Sequence, residues 1–468
     1  MLFNSYPFTL GFLPTFLVLF WAFTSLNLRR ATMALLILGS LFFYAWWNWH
    51  FLFLFGFSMI FNFGWSLLLT PNPQSAPIER EKFRRMLLGA GIAVNLALLG
   101  YFKYRDFFMT STAALLGAHW RGMPLVLPLA ISFFTFEQIT YLVGAWRGEP
   151  GYRDFISYCL FIAFFPHLIA GPVVRYAEIY PQLNRNSRLS LTKANMSAGL
   201  MIFAIGLFKK VILADSFRSI VNPLFDSSVP LVFLDAWGAL LAFGLEVYFD
   251  FSGYSDMAIG LARMFGVKFP ENFDSPYKSL SVVEFWRRWH MTLSFFLRDY
   301  LYIPLGGNRK GQFRRQLNLS ITMLLGGLWH GASWTFVVWG GLQGLYLSIN
   351  HWWWDRGRKL PPPLAGAITF VSITASWAFF RAPTFTRASQ LFAAIAGLHG
   401  FSLGPFSYIK DWRGIIIGLL IVICAPNRQQ IMAWRWQNDW VYAGVFAALA
   451  GISVMAMSNP PPFIYFQF

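Results

Sequence analysis

Apolar residues in this chain run in long unbroken stretches rather than alternating with polar ones. Phe8–Leu28, Met86–Phe102, Leu125–Val143, Met196–Leu213 and Val441–Met457 each approach a helix of roughly 20 residues, the length that crosses a hydrocarbon core of ~30 Å. In hydrocarbon every backbone N–H and C=O must find its partner inside the protein. Continuous apolar runs achieve this as helices, whereas strands of an outer-membrane barrel would alternate at period two. The pattern predicts an all-α, polytopic integral membrane protein with about 11–13 membrane-embedded helices, short re-entrant ones included.

Residues 1–150 read as a helical array with one Pro- and charge-rich break at Thr70–Arg85. Residues 346–468 read as ordinary spans separated by His351–Pro363, Arg381–Arg387 and Asn427–Asp439. Between them, residues 151–345 carry short apolar stretches interrupted by Pro and Gly, with ionisable side chains where a plain span has none. Phe161–Pro172, centred on Pro166 and His167, and Leu293–Pro304, followed by Leu305–Asn308, are too short to cross. Irregular backbone at membrane depth survives only against protein or a wet cavity, so these segments predict a polar interior. The three stretches are expected to form one membrane domain. Neither the paired halves of many transporters nor a short-period array is visible in the sequence.

Composition sharpens this picture. With 56% hydrophobic and 12% charged residues, a water-soluble globule is excluded. The 37 Lys and Arg against 20 Asp and Glu leave a net charge of +17, which would suggest nucleic acid in a soluble protein. Here the cations collect in short loops, as orientation by the positive-inside rule requires, so no nucleic-acid partner is expected. Arg29 and Arg30, then Arg80, Lys82, Arg84 and Arg85, then Arg147, Arg153 and the 175–193 loop fall on alternate connections, which makes those loops cytoplasmic. The opposite side receives Asn48–His50 and a 103–123 loop carrying Lys103, Arg105 and Arg121. The first apolar run lacks a basic leader and a small-residue cleavage site, so it reads as a retained helix. Cys159 and Cys424 predict no disulfide framework.

Of the seven histidines, His50, His119, His351 and His399 lie at loops or span ends, where an interfacial role suffices. His330 differs. It sits within Ile321–Trp339, a window without charge, beside Gly326, Gly327 and Gly331. An ionisable group in such a segment is costly and is by default a functional candidate, and small neighbours let helices close around it. A positioned imidazole, held neutral by burial, suits proton abstraction from a weakly acidic hydroxyl. His290 lies in Glu284–Tyr300, where helical spacing puts Trp286, His290 and Leu293 on one face and Arg287, Met291 and Ser294 on an adjacent one. The same residues fit an interfacial amphipathic helix with snorkelling arginines. The DFSGYSD stretch supplies Asp250, Ser252, Tyr254 and Asp256. Its carboxylates could orient a histidine, but structural pairing with Arg263, Arg287 or Arg298 is favoured because buried charges need partners. Asn272, Phe273 and Tyr277 could line a substrate passage. The two histidines lack Cys or Glu at ligand spacing, so no metal site is expected. No nucleotide-binding loop or bound cofactor is expected either.

The motifs FWRRWHMTLSFFLRDYLYIPLGGNR (Phe285–Arg309) and LLGGLWHGASWTFVVWG (Leu324–Gly340) together closely resemble the membrane-bound O-acyltransferase family, in particular its bacterial branch that acetylates exported polysaccharides such as alginate. MLFNSY at the start, Phe164–Tyr176, Tyr248–Gly266 and the terminal FIYFQF extend the likeness over most of the chain. The resemblance implies spans ringing a thin centre pierced by a tunnel, with His330 at the family's central histidine and His290 at its second polar position. It implies a cytoplasmic acyl thioester donor, acetyl-CoA or an acyl carrier protein, and a hydroxyl acceptor on the other side. Periplasmic acetyltransferase or esterase-like partners, the polysaccharide synthesis machinery and a place in the bacterial inner membrane, among lipids, are implied as well. Three positions depart from the family pattern: Gln343 where His is frequent, Glu137 where Gln is, and Gly144 where Asp is.

On this reading His330 accepts the hydroxyl proton during attack on the thioester, while His290 or a backbone N–H near Gly331 bonds the oxyanion. Trp286, Trp289, Trp329 and Trp334 would line or pack the tunnel, with Arg287, Arg298 and Asp299 as further support. The same fold with another cargo, D-alanine onto teichoic acid, acetyl onto peptidoglycan, or a long acyl chain onto lipid or protein, is a near alternative. A proton-coupled transporter or flippase using His330 and the Asp250/Asp256 pair is a more distant one.

Overall fold

A computed structural model describes residues 1–71, 78–123, 125–183, 192–226, 231–401, 412–434, 439–457, 461 and 463–464, with main chain alone at 78–80 and 439. Parts of the 70–85 and 427–439 breaks, residues 184–191 of the basic loop, the Arg80 side chain and the last four residues of FIYFQF lie outside the described residues.

Every regular element among the described residues is helical. In chain order these are α1 (Leu13–Ser25), α2 (Arg29–Ala45), α3 (Phe51–Leu69), α4 (Ile78–Leu99), α5 (Arg105–Leu115), α6 (Ile131–Arg147), α7 (Phe155–Ala163), α8 (Phe165–Leu168), α9 (Tyr176–Leu183) and α10 (Lys193–Phe208). They continue as α11 (Asp215–Asp226), α12 (Phe233–Met264), α13 (Val282–Arg288), α14 (Met291–Leu297), α15 (Gly311–His330), α16 (Trp334–Asp355), α17 (Pro362–Arg381), α18 (Phe385–Ile395), α19 (Arg413–Cys424), α20 (Arg428–Ala433) and α21 (Asp439–Met455). Wider π-helical turns occur at Pro7–Phe12, Gly100–Tyr104, Lys209–Ala214 and Arg298–Tyr302. Five helical stretches are long and apolar enough to cross a membrane: Pro7–Ser25, Phe51–Leu69, Glu81–Leu115, Lys193–Asp226 and Pro362–Arg381. The all-α membrane architecture read from the sequence is therefore present.

The chain divides into two compact units. The first comprises residues 1–203 and 257–270. Its core is aromatic: the rings of Phe16, Phe165 and Phe265 meet edge to face at 5.6 to 5.8 Å. The short segment at 161–172 behaves as expected. Helix α7 stops at Ala163, Phe164 turns out of helical geometry, and Pro166 opens the single turn α8. His167 Nδ1 lies 2.8 Å from Glu137 Oε1, both side chains buried, so each supplies a partner for the other. Two expectations fail here. Residues 103–115 are not a loop, because π-helical turns carry the helix from α4 into α5. The span expected from Leu125 begins only at Ile131, after Ala130 adopts a left-handed φ of 62°.

The second unit, residues 204–256 and 271–468, holds both candidate histidines. Helix α12 is 32 residues long and carries DFSGYSD inside it. The uncharged window Ile321–Trp339 holds the end of one helix and the start of the next. Gly331 is extended at ψ 147°, and the Ser333 side chain caps the next helix by accepting from the Thr335 N–H. Helices α15 and α16 therefore form a hairpin with His330 at its turn. Gly327 and Gly340 permit the close pairing: a Cβ on Gly327 would stand 2.3 Å from the Phe336 carbonyl oxygen and 2.9 Å from Gly340 Cα.

Candidate active site

His330 ends α15, 4% exposed, and therefore does not face lipid. Its ring meets those of Trp329 at 5.0 Å, Trp339 at 5.2 Å and Phe380 at 5.3 Å. Trp339 and Phe380 come from α16 and α17; the sequence reading singled out neither residue and did not connect α17 to the site. Phe380 and Trp377 lie on successive positions of one face of α17, so their period was legible but their target was not.

His290 is fully buried and departs from the predicted continuous helix. Helix α13 ends at Arg288, Trp289 is extended, and His290 takes φ 42° and ψ 53° before α14 begins. A non-glycine residue in that left-handed region is strained and persists only where its surroundings hold it, a situation common at functional sites. The expected shared face of Trp286, His290 and Leu293 is consequently broken. The imidazole meets Phe251 edge-on at 4.6 Å and Trp329 at 6.2 Å, so both histidines border the Trp329 indole. Nδ1 of His290 stands 3.1 Å from Asn272 Oδ1.

The DFSGYSD carboxylates pair structurally, but not with the arginines expected. Asp250 binds Lys210 at 2.6 Å, and Lys210 also binds Asp215 at 2.7 Å. Asp256 binds Lys209 at 2.7 Å and Arg428 at 3.0 Å, and Arg428 continues to Glu271. Gly253 makes this possible, since a Cβ there would stand 2.7 Å from the Gly206 carbonyl oxygen. The backbone N–H of Ile464 donates to Asp250 at 2.9 Å, and Phe463 packs on Tyr254 at 4.8 Å. Part of the terminal FIYFQF motif thus closes on the charged cluster. Lys209 and Lys210 are buried or nearly so within it.

The other candidates separate. Ser252 is buried on α12. Trp289 is buried between Phe285 at 5.5 Å and Trp377 at 5.4 Å. Trp286 meets Trp339 at 5.9 Å and donates from Nε1 to Gln343 Oε1. Trp334 is 57% exposed at the start of α16. Arg287 is exposed, and the largely exposed Arg298 pairs with adjacent Asp299. Gly331 is buried beside His330. Among the described residues, no group of three or more His, Cys, Asp or Glu could hold a metal ion.

Two of the three departures have local explanations. Gln343 accepts from Trp286 and donates to Ser376 Oγ at 2.8 Å, so both ends of its amide are used. At Gly144 a Cβ would stand 1.8 Å from the Tyr152 hydroxyl, which occupies the volume an Asp would need.

Residues 86–354 match MBOAT, the membrane-bound O-acyltransferase family. The chain is 36% identical to the peptidoglycan O-acetyltransferase of Helicobacter pylori, over 100% of this chain and 98% of that protein. It is 40% identical to the probable alginate O-acetylase of Pseudomonas aeruginosa, over 90% of this chain and 79% of that one. The teichoic acid D-alanyltransferase of Streptococcus thermophilus is 30% identical, over 50% of this chain and 59% of its own. The chain therefore belongs to the membrane-bound O-acyltransferase family and is a multi-pass membrane O-acyltransferase.

Proposed function

We propose that this protein moves an acyl group, acetyl in the first instance, from a cytoplasmic thioester to a hydroxyl in the O-acetylation of an exported polysaccharide. The observation that carries this is two enclosed imidazoles that both border one indole, with His330 in a window that otherwise carries no charge. The relatives named above that align over nine tenths or more of the chain are, by their names, acetylating enzymes of alginate and peptidoglycan. The D-alanyltransferase aligns over half of it, which favours acetyl over D-alanyl. The bacterial inner membrane and periplasmic acetyltransferase or esterase-like partners follow as part of the same proposal.

In this mechanism the hydroxyl oxygen attacks the thioester carbonyl carbon while His330 takes its proton. The tetrahedral intermediate then collapses, the C–S bond breaks, and the proton returns to the leaving sulfur. The aromatic rings around His330 exclude water that would hydrolyse the thioester. General-base catalysis contributes ~10²–10⁴-fold. His330→Ala should therefore abolish acetylation of the exported polymer while the protein still accumulates in the membrane. Near-normal acetyl content in that variant, measured after mild alkaline release, would end the proposal.

A further inference from the structure

Resting on that reading and extending it, we propose that Asn272 is a positioning residue that fixes the tautomer of His290. The proton is held on Nδ1, and Nε2 is left to accept a hydrogen bond from a substrate O–H or N–H. His290 then acts on a donor group of the substrate and does not stabilise the oxyanion.

The argument begins with the Asn272 carboxamide. The Thr292 backbone N–H, which can only donate, lies 3.3 Å from Oδ1, and the Thr292 hydroxyl lies 2.9 Å from the same atom. At the other end Nδ2 donates to Ser255 Oγ at 3.0 Å. The backbone donor settles which end of the amide is oxygen, an assignment that side-chain shape alone does not fix. A carbonyl oxygen only accepts, so the imidazole nitrogen 3.1 Å from it, Nδ1, must carry the hydrogen.

A neutral imidazole has one N–H, so Nε2 presents a lone pair. That atom is buried and has no hydrogen-bond partner among the described residues. The backbone reinforces the arrangement. The Met291 N–H donates to the Asn272 carbonyl at 3.0 Å, so residue 272 grips the turn through main chain and side chain together and holds His290 at its strained φ of 42°. An oxyanion needs a donor aimed at it, and the neutral ring aims none. Two substrate groups fit the lone pair: the acceptor hydroxyl, or an amide N–H of the pantetheine arm common to acetyl-CoA and carrier-protein donors.

The test uses the full chain in proteoliposomes with isotope-labelled histidine. Solid-state nitrogen NMR reads the tautomer, with the His290 signal identified by its loss in His290→Gln. Wild type should show the Nδ1–H form, Asn272→Asp should retain it because a carboxylate also only accepts, and Asn272→Leu should lose it. A wild-type signal with the proton on Nε2, or an unchanged signal in Asn272→Leu, overturns the proposal. The wild-type measurement stands even where Asn272→Leu fails to fold.

Turnover of radiolabelled acetyl-CoA should fall ~10–10²-fold in Asn272→Leu, and the double variant with His290→Gln should be no slower than His290→Gln alone. Additive losses overturn the link between the two residues. A raised KM for acetyl-CoA identifies the pantetheine amide as the bound group. A lowered kcat at unchanged donor KM identifies the acceptor hydroxyl. If wild type transfers no acetyl group, the acyl-transfer reading fails, and the tautomer measurement still decides the proposal.

Discussion

Replacing Gly327 by alanine sets two physical effects against each other. Within a helix alanine is favoured over glycine by ~1 kcal/mol, so local propensity predicts a more stable protein. Packing predicts the reverse for activity. The new methyl would stand 2.3 Å from the Phe336 carbonyl oxygen and 2.9 Å from Gly340 Cα, both backbone atoms that cannot rotate aside. Ordinary van der Waals contact begins near 3.4 Å, so α15 and α16 must separate at this level. The separation needed is about 1 Å, and His330 lies one helical turn further along α15. A displacement of ~1 Å at a catalytic group costs on the order of 10²-fold in rate. Gly326→Ala is the internal control, because its Cβ meets only the Leu297 side chain, at 3.2 Å, which can give way. Acetyl transfer per unit of membrane-inserted protein should therefore drop about a hundredfold in Gly327→Ala and little in Gly326→Ala. Detergent-solubilised thermal unfolding separates rate from stability. Turnover in Gly327→Ala within about threefold of wild type would refute the reasoning that backbone contact at this glycine positions His330.

Other perturbations address the charged and polar supports. Lys210→Met leaves Asp215 and Asp250 without their shared cation and should destabilise the protein by ~3–5 kcal/mol, with partial recovery in Lys210→Met/Asp250→Asn; equal unfolding temperatures for wild type and Lys210→Met would contradict this. Gln343→Leu strands the Trp286 N–H and should cost ~1–3 kcal/mol in chemical denaturation, whereas an unchanged midpoint would mean that neither amide contact matters. Glu137→Gln keeps an oxygen facing His167 and should change stability by under ~1 kcal/mol, while Glu137→Leu should cost ~1–3 kcal/mol; a reversed order in a thermal shift assay would rule out the polar contact with His167 as the reason for burial there.

Much of the site was legible because buried polar groups in an apolar chain stand out. His330 was identifiable as a costly residue in apolar surroundings, Asp250 and Asp256 as buried charges needing partners, and His290 and Asn272 as candidates by position, and the structure buries every one of them. What failed was geometry inferred from a single period. The helical face through Trp286, His290 and Leu293 assumed unbroken helix, and the Asn272 contacts instead hold a left-handed turn at His290. Around His330 the sequence showed an uncharged window with its glycines, but not where the chain turns. Gly331 and the Ser333 cap turn the chain there. The charge pairing went astray for a related reason: Arg263, Arg287 and Arg298 were the nearest candidates in sequence, whereas Lys209, Lys210 and Arg428 are the ones in space.

Sequence by itself determined the solvent and the class of fold, since apolar runs of this length have low free energy only as helices in a hydrocarbon medium. It also marked which side chains are too expensive there to be incidental. Tertiary structure decided which of them meet. Helix period relates residues within one element, but the meeting of His290 and His330 at Trp329, or of Asp250 with Lys210 and Ile464, depends on contacts tens to hundreds of residues apart. Those contacts are set by the packing of whole helices against one another, which no local pattern encodes.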